Sequence, residues 1–249
     1  MKKILFAGET WISITTHIKG FDTFVTSHYG EGATRLIEIL SNSGYHVTHL
    51  NNEIAADKFP FTKEELKVYD AVILSDIGSN TLLLSAGTFV RSEFLPDRCE
   101  SLRDYVKDGG SLCMIGGYMS FSGIEAKARY GKTAIAEALP VDMLNEDDRC
   151  EVPQGVVPAV TDKDHAILKG VERKWPRFLG YNRTIPKKDS TVIATIAGDP
   201  FIVTGSFGKG RTAIFSSDCS PHWGSNEFMA WKSYDRFWKN FAGWLCKEI

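Results

Sequence analysis

Four acid–base residues follow short apolar runs in this chain. Glu9 comes after Ile4-Leu5-Phe6-Ala7, Asp76 after Ala71-Val72-Ile73-Leu74, and Asp218 and His222 after the stretch Thr212 to Ser216. Histidine titrates near neutrality, so His222 is the candidate general acid or base, with Glu9 or Asp76 assisting. Asp218 stands beside them as a ligand-binding group, and Gly78 follows Asp76 on the same rim. A fourth apolar run, Leu112 to Ile115, ends in Gly116-Gly117-Tyr118, a corner at which the chain can leave a sheet sharply. Trp11, Tyr29, Tyr118 and Trp223 supply aromatic walls of the kind that suit a sugar or another flat, polar ligand. His17 lies in a long polar and aromatic segment, residues 12–32, far longer than the usual strand-to-helix connection. That segment is expected to be a lid over the cleft or an interface arm, with Lys19 and Asp22 also in play.

Other chemistries fit the sequence less well. Cys219, three residues before His222, could pair with it as a thiol nucleophile, but nearness in sequence is poor evidence of such geometry and it reads first as a half-buried bystander, while Cys113 inside its apolar run reads as core. The carboxylates and histidines have no tight spacing such as HxxEH, so no metal is assigned. Gly205-Ser206-Phe207-Gly208-Lys209-Gly210 lacks the spacing and following helix of a phosphate loop, and the first loop has no GxGxxG. An acidic Glu9 there would repel a phosphate, so no flavin, dinucleotide or other cofactor is expected.

These groups converge only if the strands are parallel, and the elements between the runs argue that they are. Thr34 to Ser43 has helical apolar spacing with Gly44 beyond it, and Val47 to Leu50 reads as a strand. Thr62 and Glu65 form a capping box for a short helix. Asp97 and Glu100 stand at the start of a helix over 98–107 that Asp108-Gly109-Gly110 ends. Strand and helix alternate through this half, which predicts a doubly wound, mostly parallel sheet with helices on both faces. The second half predicts a short helix at Ala134 to Ala138 capped by Thr133, strands at Val156 to Val160 and Thr191 to Ala197, and a hairpin of Phe201–Phe207 with Thr212–Ser216. A helix with Phe228, Trp231, Phe237, Trp238, Phe241, Trp244 and Leu245 on its apolar stripe closes the chain.

The chain has 249 residues, 43% hydrophobic, and no linker-like stretch divides it, so one domain over 1–249 is expected. A formal net charge of −2 with interspersed signs gives no basic face for nucleic acid. Five cysteines without a CxxC pair fit reduced thiols in a cytoplasmic setting. The first apolar run stops at Gly8-Glu9, too short for a signal sequence, and no run approaches a membrane span. The expected partners are a small-molecule ligand and further copies of the chain.

One set of landmarks resembles a known group. Tyr105-x-x-x-Gly109-Gly110-Ser111-Leu112, Gly116-Gly117-Tyr118, His165-Ala166-Ile167-Leu168-Lys169-Gly170-Val171, Phe207-Gly208-Lys209-Gly210-Arg211 and the His222 loop resemble the class I glutamine amidotransferase-like superfamily. The trehalose-utilisation-type proteins are cousins of the branch it is most similar to. The resemblance implies a flavodoxin-like fold, a site at the rim of the central strands, and His222 at the place of the catalytic histidine. It also implies a cysteine at the corner and a glutamate two residues beyond the histidine; this sequence has Gly116-Gly117-Tyr118 and Gly224 there. Glutamine hydrolysis is therefore not expected.

Overall fold

Three apolar runs without a charged residue have no polar face to turn outward, and all three lie at the middle of the sheet. In the computed structural model, which describes residues 1–249, the strands are β1 (Lys3–Gly8), β2 (Thr10–Lys19), β3 (Asp22–Glu31), β4 (His46–Leu50), β5 (Ala71–Ser75), β6 (Ser111–Ile115) and β7 (Val141–Met143). They continue as β8 (Arg149–Val156), β9 (Ala159–Val160), β10 (Phe178–Asn182), β11 (Thr184–Pro186), β12 (Thr191–Ile196), β13 (Asp199–Phe207) and β14 (Gly210–Phe215). Eight of them form one sheet in the order β4-β1-β5-β6-β14-β13-β12-β9. The first five are mutually parallel, and the last three run antiparallel from β14 outward. Strand order 2-1-3-4-5 with helices on both faces is the flavodoxin-like α/β fold.

Alternate side chains of the central strands feed two cores. Ile4, Phe6, Ile73, Cys113 and Ile115 meet Phe237, Trp238, Phe241 and Leu245 of the C-terminal helix on one face. Leu5, Val72, Leu74, Leu112 and Met114 meet Leu102, Tyr105 and Val106 of helix Arg98–Lys107 on the other. The Asp97 carboxylate starts that helix by accepting the N–H groups of Cys99 and Glu100. It ends as the sequence predicts: Gly109 takes φ +125°, and the Gly110 N–H bonds the Tyr105 carbonyl at 3.0 Å. The Thr62–Glu65 capping box is complete in both directions.

Four expectations change. Residues 10–31 are not a loop but a hairpin of two ten-residue strands, β2 and β3, paired along their whole length. Val156 to Val160 is two strands, β8 and β9, split at Val157-Pro158, where proline has no N–H to offer a ladder. Thr133 does not cap the helix Ile135–Ala138; its hydroxyl donates to the Tyr130 carbonyl at 2.9 Å instead. The closing helix is two, Asn226–Met229 and Tyr234–Leu245. Two short antiparallel pairs, β7 with β11 and β8 with β10, lie beside the corner after β6 and were not anticipated.

Candidate functional site

The parallel strands β1, β5, β6 and β14 deliver their C-terminal ends to one rim. There Glu9, Trp11, Asp76, Tyr118, Asp218, Ser220, Pro221 and His222 line a cleft of about 440 Å³. Glu9 and Asp76 each leave their strand in the left-handed region, at φ +59° and +43°. Non-glycine residues rarely adopt it, and such strain persists where the surroundings over-determine it. The contacts at Glu9 do so. Its N–H bonds the Ser75 carbonyl and its own carbonyl accepts the Gly32 N–H, both at 2.9 Å. Its carboxylate receives the Ser75 hydroxyl at 3.0 Å, the Ser220 hydroxyl at 3.4 Å and the Cys219 thiol at 3.6 Å.

Burial sets the protonation of this rim. Glu9 is 1% exposed. Its carboxyl is held well above the usual range, first by burial and then by the neighbouring Asp218 and Asp76 charges. Asp76 is pushed up to about 6 by burial and by Asp218, against the pull of the Met119 N–H that donates to it at 2.6 Å. His222 is raised, chiefly by its hydrogen bond to Asp218: Nδ1 lies 3.4 Å from Oδ2. The second Asp218 oxygen accepts both the N–H and the hydroxyl of Ser220 at 2.9 Å. The His222 ring stacks on Trp223 (5.3 Å between centroids, 20°) and meets the edge of Tyr118 (4.6 Å, 78°), so its orientation is fixed while 43% of the side chain stays open.

The corner after β6 is closed to a nucleophile. A Cβ on Gly116 would stand 2.3 Å from the Ser216 carbonyl oxygen, and one on Gly117 2.7 Å from Asp76 Oδ1. The Asn182 side chain clamps Gly117, accepting its N–H at 2.9 Å and donating to its carbonyl at 3.1 Å. Asn182 is held in turn by the buried Asp148, which also takes the N–H groups of Ser122 and Gly123. Cys113 is wholly buried, and burial pushes its thiol up. Cys219 is also buried, with its thiol raised by burial and by the adjacent Glu9 and Asp218 charges; neither cysteine is a poised thiolate. Gly224 cannot carry the glutamate the resemblance implies, since a Cβ there would lie 2.4 Å from the Ser220 carbonyl oxygen. Asp218, four residues before His222, takes up the histidine instead.

Of the residues singled out from the sequence, Glu9, Trp11, Asp76, Tyr118, Asp218 and His222 share the cleft. Gly117 lies beneath Asp76, and Gly78 opens the helix Ser79–Leu83 under Met119. Trp223 is buried behind His222, its Nε1 donating to Glu151 at 3.0 Å. His17 does not join them. It sits six residues along β2 from Trp11, about 20 Å of extended chain, stacked on Phe24 and bonded to Thr26. The sequence reading missed Ser220, Asn182, Asp148, and the pair Arg149 and Glu151. The Tyr118 hydroxyl donates to Glu151 at 2.8 Å, and the Arg149 guanidinium lies 4.7 Å from the Tyr118 ring. These groups come from β8, β10 and the loops beside them, where no apolar run marks an element. The Ser220 hydroxyl alone had a signal, lying between Asp218 and His222.

Fold and rim together define a class I amidotransferase-like protein with Gly116-Gly117-Tyr118, and no cysteine, at the corner after β6. The chain belongs to the family described as "Putative glutamine amidotransferase", whose pattern it matches over residues 3–247. It is similar to Cytoplasmic Protein STM1381 of Salmonella typhimurium LT2, with 48% identity over 98% of this chain and 99% of that one and a TM-score of 0.94. It is likewise similar to Cytoplasmic Protein STM3548 of Salmonella typhimurium, with 45% identity over 97% and 98% of the two chains and a TM-score of 0.94. A ThuA-like protein of Parabacteroides merdae shares the fold, with a TM-score of 0.58 and 12% identity over 99% of this chain and 90% of that one. No curated protein matches the chain. No helix is long and apolar enough to cross a membrane.

Proposed function

We propose that this chain is a cytoplasmic, single-domain, amidotransferase-like protein that does not hydrolyse glutamine. It binds a small polar, sugar-like molecule at the sheet rim and acts on it by hydrolysis or elimination. The observation that carries this reading is the His222–Asp218 pair facing Asp76 and Glu9 across one cleft. Asp218 holds Nδ1, which leaves Nε2 as the proton-transferring atom. Burial and Asp218 push Asp76 up to about 6, and the hydrogen bond to Asp218 raises His222 above its ordinary 6.5. Burial and the Asp218 and Asp76 charges hold Glu9 well above the usual carboxylate range, which lowers the negative charge that three carboxyls and one imidazole bring to the rim. Trp11 and Tyr118 offer apolar faces for the ligand, and their polar edges, with Ser220, can order its hydroxyls. The buried state of Cys113 and Cys219 supports the absence of a thiol mechanism.

The test has two parts. A diazo-ketone glutamine analogue should leave every cysteine unlabelled; stoichiometric labelling of Cys113 or Cys219 overturns the reading. Sugars and sugar acids screened by thermal shift should yield a ligand that stabilises the protein and that Tyr118→Ala binds weakly. On that ligand His222→Gln should lower kcat about 10²- to 10⁴-fold with little change in binding. Equal binding by both proteins with no turnover by either would mean a binding module. A second reading, assembly into a homo-oligomer, is favoured by the exposed apolar hairpin.

A further inference from the structure

The hairpin β2–β3 has two unlike faces. Its register sets Ile12 opposite Tyr29, Ile14 opposite Ser27, Thr16 opposite Val25 and Ile18 opposite Thr23. Side chains directly opposed across a ladder share a face. One face therefore carries Ile12, Ile14, Ile18, Val25 and Tyr29, which are 60%, 70%, 73%, 62% and 43% exposed. The other carries Trp11 at the cleft, then Ser13, Thr15, His17 and Lys19, with His28, Thr26, Phe24 and Asp22 opposite. That polar face satisfies itself: His17 stacks on Phe24 at 4.5 Å and 9°, and Lys19 lies 5.6 Å from the same ring. On the apolar face Tyr29 at the root is tied to the body, its hydroxyl accepting from the Asn51 amide, while Ile14, Ile18 and Val25 farther out are left to solvent. A two-stranded ribbon is marginal in water by itself, and an apolar patch of this extent marks an interface.

The same chain carries a second such patch on its body. Phe89 and Val90, on the helix Ala86–Arg91, are 74% and 73% exposed, and Phe94 and Leu95 just beyond it are 105% and 40% exposed. These exposures mean that the chain's own arm does not lie on them. Area then decides between ways of covering the arm with a second copy. Ten residues at about 3.3 Å each, two strands wide, give a footprint of about 330 Å². Two arms packed only on each other would bury one such footprint per copy, well short of the roughly 800 Å² per partner of a stable interface. An exchange in which each arm lies on the other copy's body uses the footprint twice per copy and brings the interface near that size.

We propose that two copies of this chain exchange their β2–β3 arms, the apolar face of each arm covering the Phe89–Leu95 patch of the other. This deepens the assembly reading and leaves the cleft chemistry independent of it. The exchange anchors the hairpin whose root, Trp11, is a wall of the cleft, so each site is steadied by the other subunit. The arm adds little to the core, so its variants fold.

Light scattering after size-exclusion chromatography of the full chain tests the proposal. The wild type at tens of micromolar should have twice the single-chain mass. Ile14→Asp with Ile18→Asp, on the apolar face, should run as one chain with an unchanged circular dichroism spectrum. Ser13→Asp with Thr15→Asp, equal in charge but on the polar face, should stay paired. Phe89→Ser with Phe94→Ser should also separate the copies, and mixing it with the Ile14/Ile18 variant should restore part of the pairing, because one good arm then meets one good patch. A single-chain wild type, or a pair that survives the Ile14/Ile18 change, overturns the proposal. A Phe89/Phe94 variant that stays fully paired overturns the exchange. Because the readout is mass, failure here leaves the His222 reading standing.

Discussion

The rim cleft and the β2–β3 arm break the usual partition of side chains in opposite senses. The cleft and the corner beside it bury Glu9, Asp218 and Asp148, at 1%, 4% and 1% exposure, while the arm leaves Ile14, Ile18 and Phe21 at 70%, 73% and 108%. Burying ionisable groups is costly unless each is bonded or neutralised. In the cleft and the corner beside it the compensation lies within the chain: Ser75, Ser220, Asn182 and backbone N–H groups bond the carboxyls, and burial with the neighbouring charges holds the Glu9 carboxyl well above its usual range. In the arm no compensation is visible within the chain. A region over-determined from inside is built to hold one geometry; a region left unsatisfied is built to meet something else.

This contrast can be broken most severely at matched glycines. Gly116→Ala should cost 3 kcal/mol or more, roughly the penalty of a buried clash that forces backbone to move, since its Cβ would press on the Ser216 carbonyl. Urea denaturation measures it, and a loss under about 1 kcal/mol would mean that the corner is less rigid than its contacts imply. At the arm's turn, Gly20 has φ +65° with nothing near its Cβ position. Gly20→Ala there should cost only about 1 kcal/mol, the left-handed penalty alone.

Asn182→Ala ranks next. It strands the buried Gly117 N–H and removes one of the two donors to Asp148 Oδ1, at about 2–4 kcal/mol. Its effect should reach the cleft, with Tyr118 less well held and any ligand affinity lowered. Normal stability would show that water replaces the amide. The smallest effect concerns pH. The folded pKa of Asp76, about 6, lies above its ordinary 3.8. Its contribution to stability is thus fully present below about pH 3.8 and lost as pH rises through about 6. Glu9 and His222, also raised, act in the same sense at higher pH. Asp76→Asn should remove the decline between those limits, about 2–3 kcal/mol in the difference between variant and wild type. Parallel stability curves from pH 4 to 7 would argue that Asp76 titrates normally.

Much of the rim was legible because its logic is local. Apolar runs of four or five residues mark β1, β5 and β6, and in a parallel sheet the next residues, Glu9, Asp76 and the Gly116-Gly117 corner, must reach one side. The period-two pattern Ile12, Ile14, Thr16, Ile18 with a Gly20 turn was also in the sequence. It was passed over because Ser13, Thr15 and His17 dilute it and because no core was at hand for it to face. The sequence alone therefore suggests a long connection with His17 at the cleft, whereas the strand carries His17 about 20 Å along from Trp11.

Local pattern therefore determined the parallel strands, the helix caps and stops, the corner without a nucleophile and the convergence of the rim carboxyls. Tertiary structure alone decided which carboxylate holds His222, which carboxyls are pushed above their usual range and what locks the corner. Asp218 replaces a glutamate at 224 because backbone carbonyls fill the space at Gly224. Protonation depends on depth and on the distance between Glu9, Asp76 and Asp218, and Asn182 reaches Gly117 across 65 residues of chain. Spacing along a chain carries no information about such distances until the sheet has closed.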